Sequence, residues 1–271
     1  MIAPNQTLVY AADMKITVVV PVLYEEPQLG ASLGQLSALR AQMDLETLVV
    51  IDVPDPSRAA RTKDVNDPIV AAAGARLLYR VGGRGFGSAL RYAFRQATGD
   101  AVIPFMGDGS DCAEDIPAMV KELERGFDVV AGSRYMRGGK TIGMTLKQRI
   151  SHLYSAAVKT VGALPIHDIS NAFKAYRREV LETTSTVATS FDISVELTVK
   201  AARAGFRLGE IPTTWTNRKL GASNFDFSRE VPNYWRWLVL AARSRHSAAR
   251  CQIADCVTLR ASKAVPAMAS P

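Results

Sequence analysis

The chain reads as an α/β protein built on a mostly parallel, doubly wound sheet. Two observations predict this. β-Branched or apolar runs recur along the first half with little polar alternation, the pattern of strands buried on both faces, and stretches of helical spacing separate them. At residues 82–115 a glycine-rich turn opens a helix that ends at Gly99, and an apolar strand from Ala101 to Phe105 then runs into an acidic loop around Asp108. A strand ending in carboxylates is where such sheets hold a metal ion and a phosphorylated ligand.

In order, residues 1–14 form a leader without periodicity. Residues 15–22 (KITVVVPV) form a continuous buried strand. Residues 27–43 place Leu29, Leu33, Leu36 and Leu39 on one helical face. A second buried strand, residues 45–53, carries Asp52 near its end and is stopped by Pro54 and Pro56. A short helical piece at 69–73 and a third strand at 75–80 precede the glycine-rich unit; a helix at 116–125 and a strand at 128–132 follow it. This alternation implies parallel strands with helices on both faces. Beyond Tyr135 the pattern changes: a glycine-rich loop at 136–144, a helix at 146–161, a strand at 173–176, an amphipathic helix at 192–204 and a strand at 206–215. An aromatic and basic helix is expected at 235–245, then a frayed tail rich in Ala, Ser and charge.

With 271 residues, 48% of them hydrophobic and 22% charged, the chain has room for a sizeable core in one large domain or two small ones. The net charge is +7, and from Thr216 onward nine Lys/Arg stand against three Asp/Glu, so the body is nearly neutral and the end is basic. That asymmetry points to an anionic partner, a phosphate-rich ligand or a membrane surface. Helix-turn-helix, zinc-finger and RNA-module signatures are all missing, so nucleic acid is not expected. Cys112, Cys251 and Cys256 suit neither a disulfide framework nor a zinc site, and read as reduced thiols of a cytoplasmic protein. Neither a signal peptide nor an apolar run of about 18 residues is visible, so no spanning helix is expected. The segment NYWRWLVLAARSR sets Tyr234, Trp235, Trp237, Arg236, Arg243 and Arg245 around a short apolar run. It suits an interfacial helix on an anionic bilayer; a core-docked helix with exposed arginines fits it as well.

The run GRGFG allows two readings. A dinucleotide fingerprint should follow the first strand and lead to an acidic strand end about 20 residues on, and this run follows the third. Tight helix–sheet packing is the alternative. In the acidic cluster, Asp111 and Glu114 have the spacing of a capping box before the helix at 116. Asp108, between Gly107 and Gly109 at the strand end, is expected to bind a metal.

Several segments resemble family 2 glycosyltransferases, which share the GT-A fold with its Rossmann-like sheet: VVVPVLYEEP, GRGFGSALRYAFRQATGDAVIPFMGDGSD, GSRY at 132–135, DISNAFKAYRREVL at 168–181 and NRKLGAS at 217–223. The last three are similar to polyprenol- and dolichol-phosphate mannose synthase-like transferases. The resemblance covers about residues 15–240 and implies a leader at 1–14, a GT-A catalytic domain at 15–230, and an amphipathic helix with a flexible basic tail at 231–271.

The activity it implies is inverting transfer of a sugar from a nucleotide-sugar donor, GDP-mannose or a UDP-sugar, to a polyprenyl phosphate. By position-matching, Pro21, Glu25, Asp52, Gly85, Asp108 and Arg134 would bind the nucleotide sugar. Asp108 and Ser110 would hold a divalent metal, Mg or Mn. Lys147, Ser151, Arg218 and Ser223 would meet the acceptor phosphate, and Asp108, Arg134, Lys147 and Arg218 would form the catalytic set. The place implied is cytoplasmic, peripheral on the inner face of the cell membrane.

The chain departs from the pattern where Met106 replaces the first Asp of the DxD pair, Val53 a second acid, His152 an arginine and Asn224 a Lys or Arg. A metal with Arg134 would offset charge on the leaving diphosphate. A phosphate acceptor is already anionic and needs no base, whereas a hydroxyl acceptor would need one, for which Asp111 and Asp168 are the candidates. Two other readings remain: a degenerate sugar-nucleotide-binding protein, favoured by Met106, and a sugar-1-phosphate nucleotidyltransferase, disfavoured by PVLYEEP after the first strand.

Overall fold

A computed structural model describes residues 14–217 and 230–243. Its strands are β1 (Ile16–Leu23), β2 (Leu45–Val53), β3 (Arg76–Val81), β4 (Ala101–Pro104), β5 (Val129–Ser133), β6 (Lys140–Ile142), β7 (Lys174–Arg177), β8 (Leu208–Pro212) and β9 (Thr214–Thr216). Seven form one sheet in the order β3-β2-β1-β4-β7-β5-β8. Every neighbouring pair is parallel except those of β7, which runs antiparallel to both β4 and β5. The doubly wound α/β expectation holds, with one reversed strand inside the sheet.

Continuous apolar strands give the sheet two buried faces. Val18, Val20 and Val22 of β1 belong to one core and Val19 to the other. On the first face lie α1 (Leu29–Leu39), α2 (Ala59–Ala72) and α4 (Ile116–Glu124); on the second lie α3 (Phe86–Gln96), α5 (Leu146–Gly162), α7 (Ile193–Arg203) and a helix at 230–243, here α8. A short helix, α6 (Arg178–Thr183), follows β7.

Two expectations need correction. The helical piece expected at 69–73 is the end of a 14-residue helix. Its buried residues, Thr62, Asn66 and Val70, recur every four residues but two are polar, so hydrophobic periodicity hides the stripe. Asn66 Nδ2 satisfies itself on the Tyr24 and Thr62 carbonyls at 2.8 and 2.7 Å. The single strand expected at 206–215 divides. Pro212 ends β8 without an N–H to carry the ladder on, and β9 pairs with β6 in a second, two-stranded sheet. The glycine-rich loop at 136–144 thus contains a strand.

The glycines of GRGFG serve packing. A Cβ on Gly85, whose φ is +108°, would lie 2.4 Å from the Thr189 carbonyl oxygen, and one on Gly87 would lie 2.6 Å from that of Ala188. The turn is pressed against residues 188–190, which accept the Gly87 N–H on the Thr189 carbonyl at 3.1 Å. It is not an open phosphate cradle.

Candidate active site

The carboxyl ends of β1, β2, β4 and β5 meet along one edge of the sheet, the edge at which open α/β sheets bind ligands. β5 leads directly to Arg134. Its guanidinium is nearly buried and forms a two-point pair with Asp168: Nε to Oδ2 at 2.6 Å and Nη2 to Oδ1 at 3.0 Å. Asp168 Oδ2 also accepts the Arg134 backbone N–H at 3.1 Å, and Oδ1 accepts that of Asn171 at 3.1 Å. Burial alone would raise the Asp168 carboxyl, but the Arg134 charge and bonds hold it below the usual carboxylate range. A fully buried carboxylate held this way has no lone pair to offer a substrate, so Asp168 is a partner of Arg134 and not a base.

Lys174 closes the turn beneath it. Its buried ammonium donates to the Ile169 carbonyl at 2.9 Å and to the Asn171 carbonyl. Burial lowers this amine to about 7, with the Asp168 charge opposing the shift. Around the pair, Ser170 Oγ lies 2.6 Å from Ser151 Oγ and 3.1 Å from Ser155 Oγ, and Arg134 Nη2 donates to Ser170 Oγ at 3.2 Å. Tyr135 lies against the guanidinium at 4.7 Å and stacks on His152 at 4.3 Å. Ser151, expected beside the acceptor, thus sits next to Arg134.

The acidic loop after β4 is pinned from several sides. Ser32 Oγ donates to the Gly107 carbonyl at 2.9 Å, and the Thr216 N–H to that of Ser110 at 2.9 Å. Asp108 Oδ1 accepts the Ser110 N–H at 3.1 Å. Asp111 does not cap the following helix. Its carboxylate accepts the Met106 N–H at 2.9 Å, closing the loop on itself, and burial raises this group to about 7. Glu114 does not complete a capping box either, because no side-chain bond caps this turn or α4.

A cavity of about 350 Å³ opens here. It is lined by Asp108, Ser110, Arg134, Lys147, Ser151, Glu230 and Met106 together with Phe86, Phe191, Tyr154, Tyr234, Trp235 and Leu238. Phe86 and Phe191 stack at 4.9 Å, and Tyr154 meets Tyr234 edge-on at 5.0 Å. Sequence reasoning missed this aromatic wall. Its members come from α3, α5, α7's approach and α8, and no local pattern links them.

The residues expected to bind the nucleotide lie further along the same edge. Asp52 is buried at the end of β2, 3.0 Å from Arg80. Burial raises its carboxyl to about 6, and Arg80 and the Gly85 N–H partly oppose this. Pro21 sits in β1 opposite Val50, and Glu25 pairs with Arg58 and Arg61 at 3.7 and 3.6 Å. Arg218 and Ser223 lie outside the described residues, as do the leader at 1–13 and the tail from 244. In α8 Trp237 is buried and donates to Asp192 Oδ2 at 2.7 Å, whereas Trp235 is exposed, so this helix is core-docked along one side only.

Among the described residues no three His, Cys, Asp or Glu side chains gather as a metal cage. Asp108 and Ser110, one carboxylate and one hydroxyl, both line the cavity, and oxygen groups of this kind are what Mg²⁺ or Mn²⁺ takes.

The family model "Glycosyl transferase family 2" matches residues 17–184. An undecaprenyl-phosphate mannosyltransferase of Micrococcus luteus is 30% identical over 85% of this chain and 96% of its own length. A polyprenol monophosphomannose synthase of Mycolicibacterium smegmatis is 29% identical over 78% of this chain and 81% of its own. A solved glucosyl-3-phosphoglycerate synthase from Mycobacterium tuberculosis, in complex with Mn²⁺, UDP and glucosyl-3-phosphoglycerate, superposes with a TM-score of 0.62. It covers 86% of this chain and 81% of its own at 17% identity, a likeness of fold. A GT-A sheet, a strand-end Asp108 and a family match over more than half of the sequence make the chain a member of glycosyl transferase family 2, and a glycosyltransferase.

Proposed function

We propose that the chain transfers a sugar, with inversion, from a nucleotide diphosphate donor to a polyprenyl phosphate. One observation carries this most: a single cavity is lined both by Arg134, Lys147 and Asp108 and by a set of aromatic and apolar side chains. That combination matches an acceptor with a phosphate head and a hydrocarbon tail. The names of the Micrococcus and Mycolicibacterium relatives point the same way.

In this reading an acceptor phosphate oxygen attacks the anomeric carbon as the bond from that carbon to the diphosphate breaks. The oxygen is already anionic, so no proton needs removing. This agrees with the side chains present: Asp168 is committed to Arg134, and Asp111 is turned onto the Met106 N–H. Arg134 is held rigidly by Asp168 and stabilises charge on the leaving diphosphate. Lys147 and Ser151 orient the acceptor head, together with Arg218 and Ser223. Pro21, Glu25 and Asp52 form the nucleotide end, with the Gly85 N–H holding the Asp52 carboxylate. Asp108 and Ser110 would hold the metal, whose chemistry is to neutralise the diphosphate. The donor is GDP-mannose or a UDP-sugar. The catalytic unit includes α8, whose inner side closes the cavity, and the chain works at the inner face of the cell membrane. No helix of the described residues is long and apolar enough to cross a membrane.

The test is transfer of labelled sugar from GDP-mannose or a UDP-sugar to polyprenyl phosphate and to the matching polyprenol, with Mn²⁺ present. Product is expected from the phosphate alone. Efficient transfer to the alcohol, with Asp111 or Asp168 essential, would overturn the reading.

A further inference from the structure

Two helices carry apolar side chains that the fold leaves in solvent. On α5, Leu146, Ile150, Leu153 and Ala157 follow one another at steps of four and three, a single stripe along one side that stops where Val161 packs against the core. The buried side, at Ser155 and Val158, faces the other way. Leu146 is 70% exposed and Leu153 72%. Ile142 and Met144, in the chain leading into α5, are exposed as well. On α8, Val231, Trp235 and Ala242 lie along a second stripe, with Val231 59% and Trp235 64% exposed and Leu238 between them half-buried against the core, while Trp237 and Ala241 turn inward.

The helices lie side by side and run the same way. The Tyr154 hydroxyl donates to the Tyr234 carbonyl at 2.8 Å, and Gly162 abuts Ala241 eight and seven residues further on. Ile150 and Tyr154 of one and Val231, Trp235 and Leu238 of the other share the cavity wall, so the stripes adjoin at its mouth.

Charge selects the occupant. The charged residues on these two helices are Lys147, Arg149, Lys159, Arg236, Arg243 and one acid, Glu230, which is buried and bonded by the Ser190 hydroxyl. A second copy pairing about a two-fold axis would set these cations against themselves. An anionic bilayer offers apolar depth and negative headgroups together.

We infer that the outer stripe of α5, with Ile142 and Met144, is a membrane-docking face. It acts alongside the α8 stripe to lay the chain on an anionic bilayer with the cavity mouth towards the lipid. This deepens the proposed function, on which it relies only for the lipid nature of the acceptor.

The test uses the full chain and vesicles of about one part phosphatidylglycerol to three parts phosphatidylcholine. Leu146→Gln with Leu153→Gln should weaken vesicle partitioning by about tenfold or more, at an unchanged melting temperature, because both side chains already face water. Val65→Gln, on the exposed side of α2, should leave partitioning unchanged. Partitioning by the double variant equal to that of the parent overturns the inference. So does a concentration-dependent dimer that the double variant abolishes, with no vesicle binding by the parent. Vesicle binding is read without donor or turnover, so it stands or falls apart from the transferase reading. Where transfer is active, turnover of a short, water-soluble prenyl phosphate should survive the double variant, and turnover of vesicle-borne acceptor should fall with binding.

Discussion

Replacing Asp168 by Asn tests the central electrostatic arrangement of the site. The substitution keeps size and shape and removes one charge. Asp168 then no longer balances Arg134, to which it is bound at 2.6 and 3.0 Å. An Asn side chain also offers an N–H where the guanidinium already donates. Breaking a buried pair by removing one partner costs about 3–5 kcal/mol. A domain of this size is stable by about 5–15 kcal/mol and shifts by about 2–4 °C per kcal/mol, so Asp168→Asn should lower the melting temperature by about 10 °C. Urea unfolding followed by circular dichroism measures the loss. The double variant Arg134→Met with Asp168→Leu gives the contrast. Replacing both charges with apolar side chains of similar volume leaves no unpaired guanidinium, and Lys174 can shed its proton because burial already holds it near 7. It should regain at least half of the lost stability while remaining inactive. An Asp168→Asn protein within about 1 kcal/mol of the parent would refute the reasoning, since a buried guanidinium could not then depend on its carboxylate.

Three further outcomes are expected. Asp108→Asn should abolish metal-dependent donor binding, read by calorimetry, without unfolding the protein; unchanged affinity would remove Asp108 from the site. Nucleotide affinity should show a step as pH drops through about 6, because the Asp52 carboxyl, raised by burial to about 6, loses its charge there and is a weaker acceptor for a base; Asp52→Asn should erase that step, and an identical profile in the variant would contradict it. Glu46 tests acid stability. Burial raises its carboxyl, but bonds from Thr17 at 2.7 Å, from Thr98 and from Arg76 outweigh this and hold it at about 2, below its ordinary 4.5. Its contribution is therefore complete above pH 4.5 and lost as pH falls towards 2, so the stability deficit of Glu46→Gln should shrink between pH 7 and pH 3; a constant deficit would show that the carboxylate charge is not responsible.

Features that depend on short stretches were legible in the residues alone. Continuous β-branched runs specified β1, β2 and β5, since a strand buried on both faces has no use for polar alternation. The four leucines of α1 specified its buried side. The family resemblance rested on the same local segments, and the match over residues 17–184 bears it out. Tertiary structure decided the rest, because the partners lie far apart along the chain. Asp168, a candidate base in the sequence, is 34 residues from the arginine that occupies it. Trp237 is 45 residues from Asp192, whose carboxylate fixes which side of α8 faces inward. Asp111 has the spacing of a cap, yet a backbone N–H five residues earlier claims it once the loop folds back. The aromatic wall of the cavity and the adjoining outer stripes of α5 and α8 exist only because separate helices pack side by side, and helical periodicity records that a stripe exists without recording what it faces.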